Sequence, residues 1–215
     1  MAKTFKFSIL LITTICMFSG CLKAQQSGPE TGVNVSGEST LRGKKVLIVY
    51  LSRTKNTKAV AEIIQKQVGG TLVSLELERP YPENYQAIVE QVAKENSNGY
   101  LPPLKTKIDS ITRYDIIFLG FPTWGMQLPP PVKSFLTSHN LKGKTLIPFN
   151  TNAGYGIGST IQTVKALAPN CNILEGFSTE GGKERDGILF VMKDENEKRA
   201  QLEVHKWLQK IEILK

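Results

Sequence analysis

The sequence predicts an α/β fold, a doubly wound five-stranded parallel sheet with helices on both faces. Three observations carry that prediction. Val46–Leu51, Ile116–Phe121 and Thr145–Asn150 are continuous apolar runs without alternation, as strands buried on both faces require. Strand and helix patterns then alternate five times along the chain, which builds a parallel sheet through crossover helices. Polar or glycine-rich loops follow the first, third and fourth strands, so all three fall on the rim where such sheets bind ligands.

The first residues precede the domain. Lys3 and Lys6 give a basic start, Phe7 to Phe18 is uncharged and apolar, and Phe18-Ser19-Gly20-Cys21 ends the run on small residues. That is a secretory signal over residues 1–21, too short for a membrane span of about 20 residues. Its ending resembles a bacterial lipobox, with Phe18 where leucine is usual. The resemblance implies that Cys21 is acylated and becomes the mature N-terminus; an ordinary signal cleaved nearby is the alternative. The expectation is an exported, membrane-anchored protein facing the periplasm or the cell exterior. Residues 22–42 are polar with scattered Gly and Ser and read as a flexible tether, and the domain spans 43–215.

Within the domain, Val46–Leu51 is the first strand, and Thr57 to Val68 the first helix, closed by Gly69-Gly70. Thr71 to Leu77 alternates, so one face is wet or the strand lies at an edge. Glu83 to Asn96 is helical, with Tyr85, Ile88, Val89, Val92 and Ala93 on one stripe that reads as packing. Ile116–Phe121 leads through a proline-rich loop into a helix near Val132–Ser138. Thr145–Asn150 is a central strand despite Pro148, which calls for a bulge or a lost ladder bond. A helix bearing Ile157, Ile161, Val164 and Ala168 follows, then a last strand over Asn172–Phe177. Asp194–Lys210 closes the chain as a helix, with Val204, Trp207, Leu208 and Ile211 on its core face. Gly187–Lys193 has strand character but no obvious place.

Composition excludes more than it assigns. After the signal's two lysines are set aside, 25 Lys+Arg stand against 19 Asp+Glu, a mildly basic surface. No basic run interleaves with aromatics, so nucleic acid is not an expected partner. Cys171 is the one thiol of the domain and makes neither a disulfide nor a metal site. His139 and His205 lie in helical contexts as surface or capping residues, and no metal site is expected.

The loops hold the chemistry. Ser52-Arg53-Thr54-Lys55-Asn56-Thr57 joins a strand to a helix N-terminus, where free N–H groups and the helix dipole favour an anion. Capping alone explains two of its hydroxyls. It is neither a G-x-x-x-x-G-K-[ST] nor a G-x-G-x-x-G loop. Pro122-Thr123-Trp124-Gly125 supplies a broad π surface. Thr151-Asn152-Ala153-Gly154-Tyr155-Gly156 supplies a second aromatic and glycines that admit a flat ligand close to the backbone. One phosphate, one flat heteroaromatic and a polyol between them describe FMN. For Trp124 and for Tyr155 alike, a loop aromatic folded over the core is the structural alternative.

These residues resemble the flavodoxins. Ser52 to Thr57 is similar to their phosphate loop, [ST]-x-T-G-[NS]-T, with Lys55 at the usual glycine. Pro122–Gly125 with Pro130-Pro131-Val132 and Phe135-Leu136, then Thr151–Gly156, resemble the second and third loops of a bacterial flavodoxin-like subfamily. The resemblance implies strand order 2-1-3-4-5 and non-covalent FMN used for one- or two-electron transfer. It places phosphate on Ser52, Thr54, Asn56 and Thr57, and the ring between Thr123–Gly125 and Asn152–Gly156. No catalytic acid or base is assigned. The expected activity is electron transfer to an unknown redox partner or small-molecule acceptor. The alternatives are an NAD(P)H-dependent quinone or nitro reductase, and a cofactor-free binding lipoprotein on the same scaffold.

Overall fold

Strands without a polar face must be covered on both sides, and the chain covers them with two helical layers around a parallel sheet. The computed structural model describes residues 39–215; the signal, Cys21 and most of the expected tether lie outside the described residues. The strands are β1 (Val46–Tyr50), β2 (Thr71–Ser74), β3 (Ile116–Pro122), β4 (Thr145–Asn152), β5 (Asn172–Ile173) and β6 (Phe177–Glu180). Their order is β2-β1-β3-β4, with β5 and β6 in turn beside β4, and every pairing is parallel. This is the expected 2-1-3-4-5 order with its last strand in two pieces.

Pro148 gives a physical reason for the break. Along β4 the carbonyls of Leu146 and Asn152 accept from Leu174 N–H (3.1 Å) and Gly181 N–H (2.7 Å), so even-numbered residues face the fifth strand position. Pro148 faces the same way and has no N–H to offer. The β3–β4 ladder runs past it unbroken, Leu119 opposite Pro148, while the outer strand lapses from Leu174 to Gly176 and resumes at Phe177. The lost bond is therefore on the outer side and needs no bulge.

Helices α1 (Asn56–Val68) and α5 (Asp194–Lys210) cover one face, packing Val60, Ile64, Val204 and Leu208 on Ile48, Phe118 and Phe149. Trp207 is core, as expected; its indole N–H donates to Glu175 O at 3.0 Å. On the other face, α3 (Pro130–Ser138) and α4 (Thr160–Leu167) pack Val132, Phe135 and Val164 on Leu47, Ile117 and Phe121, with α2 (Tyr85–Asn98) beside α3. Gly120 is required where it stands, since a Cβ there would meet the Phe149 ring at 2.1 Å.

Two segments differ from expectation. Segment 187–193 makes no strand; beyond a single bridge from Ile188 to Lys183 it forms an irregular strap over the start of α1, with Met192 buried. The fold also begins earlier than Gly43. Ser39 bridges Leu214, Thr40 N–H donates to Ile213 O at 3.0 Å, and Leu41 packs on the core, so the two ends of the domain are clasped together. The clasp lies at the amino ends of the strands, just before β1 and just after α5. No helix among the described residues is long and apolar enough to cross a membrane.

Candidate functional site

The first loop ends β1 and turns directly into α1. Lys55 caps the helix with φ 67°, in the left-handed region that favours glycine. That turn aims successive N–H groups the same way. Among the described residues, the N–H groups of Arg53, Thr54, Lys55, Asn56 and Thr57 have no hydrogen-bond partner; the first to be taken is that of Lys58, by Ser52 Oγ at 3.2 Å. Five free donors at the positive end of a thirteen-residue helix are the arrangement that suits an anion.

The side chains of this loop do different work from one another. Thr57 Oγ1 is buried and lies 2.8 Å from Thr151 Oγ1, tying the first loop to the end of β4. The Arg53 guanidinium is fully engaged, with Glu184 at 2.7 and 3.0 Å and the Pro82 and Glu83 carbonyls. Asn56 is almost fully buried and its amide is also spent: it donates to Thr54 Oγ1 (2.8 Å) and Leu189 O (2.6 Å) and accepts from Val191 N–H (3.0 Å). Its side chain holds the strap, and its backbone N–H is the donor left without a partner among the described residues.

The second loop is a tight hairpin. Trp124 and Gln127 exchange backbone hydrogen bonds at 3.2 and 3.0 Å, and the two residues between them, Gly125 and Met126, both have positive φ (54° and 61°). Such a turn holds Trp124 at its base in one orientation. The indole meets the Tyr81 ring edge to face, centroids 5.6 Å apart and planes at 79°. Tyr81 in turn donates to Glu95, and its phenol is held above the ordinary tyrosine range, first by burial and then by that bond. Thr123 Oγ1 accepts from buried Asn150 at 3.0 Å.

The third loop leans on the second. Ser159 N–H donates to Met126 O at 2.9 Å, and Gly158 fits there because a Cβ would stand 2.1 Å from that same oxygen. Asn152 Oδ1 accepts from Gly154 N–H (2.9 Å) and Gly156 N–H (3.2 Å), so these two donors shape the loop from within. The N–H groups of Ala153 and Tyr155 have no partner among the described residues. Tyr155 is 62% exposed, its hydroxyl bonded to Arg185 at 3.0 Å.

The three loops enclose one cleft at the carboxyl ends of the strands. A cavity of about 280 Å³ is lined by Arg53, Thr54, Asn56, Thr57, Pro122, Thr123, Trp124, Gly125, Thr151, Asn152 and Ala153. A second, of about 410 Å³, shares Thr123, Gly125, Asn152 and Ala153 with it and adds Tyr155 and Gly156. Ser52, Lys55 and Gly154 line neither. Three groups of lining residues escaped the sequence reading. Gly181 and Gly182 follow β6, and Glu184 answers Arg53; the Gly-Gly pair after an alternating stretch was the available signal. Tyr85 and Val89 of α2 face the cleft, 38% and 42% exposed, while Ile88 and Val92 on the same stripe are buried. No cluster of His, Cys, Asp or Glu among the described residues suits a metal ion.

Comparison with known proteins gives a consistent picture. The flavodoxin family model matches residues 45–193. Among solved structures, a protein of Bacteroides eggerthii assigned as a flavoprotein is 28% identical, with TM-score 0.62, over 78% of this chain and 98% of its own. One from Bacteroides uniformis, assigned likewise, is 27% identical, with TM-score 0.60, over 67% of this chain and 95% of its own. A Lactobacillus acidophilus flavoprotein in complex with FMN shares the fold at 24% identity and TM-score 0.54, over 67% of this chain and 98% of its own. Comparison with curated proteins returned no significant match.

Proposed function

The chain belongs to the flavodoxin family, and from that premise we propose that it binds FMN and passes reducing equivalents while tethered to a membrane outside the cytoplasm. One observation supports this above the others: of the five residues whose N–H groups are unpartnered at the start of α1, Arg53, Thr54, Asn56 and Thr57 line the same cavity as Trp124. A dianionic phosphate suits the N–H groups and a flat ring the indole.

The residues fit that group. The N–H groups of Arg53 to Thr57 and the hydroxyl of Thr54 would hold phosphate, with Thr57 fixed against Thr151. Trp124 and Gly125 would line one side of the ring, and Ala153, Tyr155 and Gly156 the other. When bound, FMN supplies one- or two-electron chemistry. The chain supplies placement and electrostatics. An electron-rich indole disfavours negative charge on a ring against it, whereas the free N–H groups of Ala153 and Tyr155 favour charge at the ring's edge.

The cofactor-free reading has little support, since Lys55 holds the positive φ of the family glycine and keeps the loop's donors aligned. The visible spectrum of the purified chain tests the proposal. It should show flavin bands, or acquire them on titration with FMN, and Trp124→Ala should weaken FMN binding by about tenfold or more. Reversible photoreduction with inertness towards NADPH separates a carrier from a reductase. Colourless protein that takes up no FMN would return the chain to the class of binding lipoproteins.

A further inference from the structure

The first cavity continues past the loops along α2. Along α2 it is lined by one helix face, Ile88, Val89, Val92 and Ala93, with Asn96 one turn further on, and Trp124 and Gln127 of the second loop line the same cavity. Such a face normally packs on a neighbour; here Val89 remains 42% exposed inside a concave wall.

The polar side chains that line this lobe, Asn96 and Gln127, are neutral amides. Asn96 Oδ1 accepts from Lys133 Nζ at 2.8 Å, which leaves its NH2 to donate. The Gln127 side chain has no partner among the described residues. Arg53, the cation on this cavity's wall, is consumed by Glu184 and two carbonyls. Anionic ligands, dinucleotides included, therefore find no free positive charge in the lobe. An uncharged ring with acceptor oxygens finds apolar walls, an indole to stack on and two amides to bond.

We propose that the lobe between α2 and Trp124 is a second subsite, which binds an uncharged aromatic ring bearing carbonyl oxygens, a quinone-type molecule. Its meaning as an acceptor site rests on the flavin reading of the loops; the binding itself does not.

Duroquinone is a suitable probe, because its fully substituted ring has no open position for thiol addition. The readout is the pair of indole N–H signals in the NMR spectrum of the full chain. Trp124 should shift on titration and Trp207, buried on the core face of α5, should not. Val89→Glu, a charge placed on the lobe's exposed wall, should weaken binding about tenfold or more, with an unshifted Trp207 signal reporting an intact core. Leu202→Glu, exposed on α5, should bind as the parent does. FMN uptake is measured separately. Duroquinone binding without FMN uptake removes the flavin reading and leaves the subsite standing. A Trp124 signal that does not move, a Val89→Glu protein that binds equally well, or displacement of duroquinone by FMN each overturns the subsite.

Discussion

Lys55 shows what a single backbone angle imposes. A lysine at φ 67° bears the steric penalty of the left-handed region, on the order of 1–2 kcal/mol. Its side chain is exposed and makes no ion pair among the described residues that would offset this. Lys55→Gly removes the penalty but loosens the unfolded chain, so urea denaturation should report a net gain of about 0.5–1 kcal/mol. The same change removes a positive charge beside the anion site, and FMN affinity should fall a few-fold even as stability rises. Tyr81 makes a second residue-scale case. Its phenol stays protonated in the fold beyond the ordinary value near 10, so above that pH the folded chain holds a proton that the unfolded chain has lost. Tyr81's contribution is complete below about pH 10 and declines as pH rises further. The stability difference between parent and Tyr81→Phe should therefore shrink from about pH 8 to about pH 11 in urea titrations. A constant difference would mean that the phenol ionises freely.

At the scale of elements, the site depends on loops that hold one another. Gly158 is the tightest of these contacts, with the Met126 carbonyl where any Cβ would stand. Gly158→Ala has to part the second loop from the third. It should weaken FMN binding by about 100-fold, roughly 3 kcal/mol, while costing the core little; isothermal titration beside thermal unfolding separates the two effects. The central strands, the five helices and the three loops were legible because each rests on local periodicity or local turn chemistry. Contacts that join distant stretches were not. Asn56 reads as a phosphate ligand until the strap, more than 130 residues later in the chain, claims its amide. The α2 stripe reads as core because periodicity marks a helix face as apolar without saying whether protein or an open cleft lies against it. The divided outer strand was announced by Pro148, but only the ladder shows which side loses its bond.

For the molecule as a whole, the charge balance is a property of the surface and assigns no partner. Membrane attachment rests on residues ahead of the described ones. If Cys21 is the acylated residue, Cys21→Ser should abolish incorporation of labelled fatty acid and move the protein from the membrane fraction to the soluble one. A variant that stays with the membrane and still labels would refer anchoring to another site. The clasp of Thr40 with Glu212 and Ile213 bears on what such an anchor would do. A chain entering the domain at its amino end joins it at the clasped pole, while the cleft lies at the carboxyl ends of the strands. The mouth of the cleft is thereby clear of the point where such an anchor's tether would join.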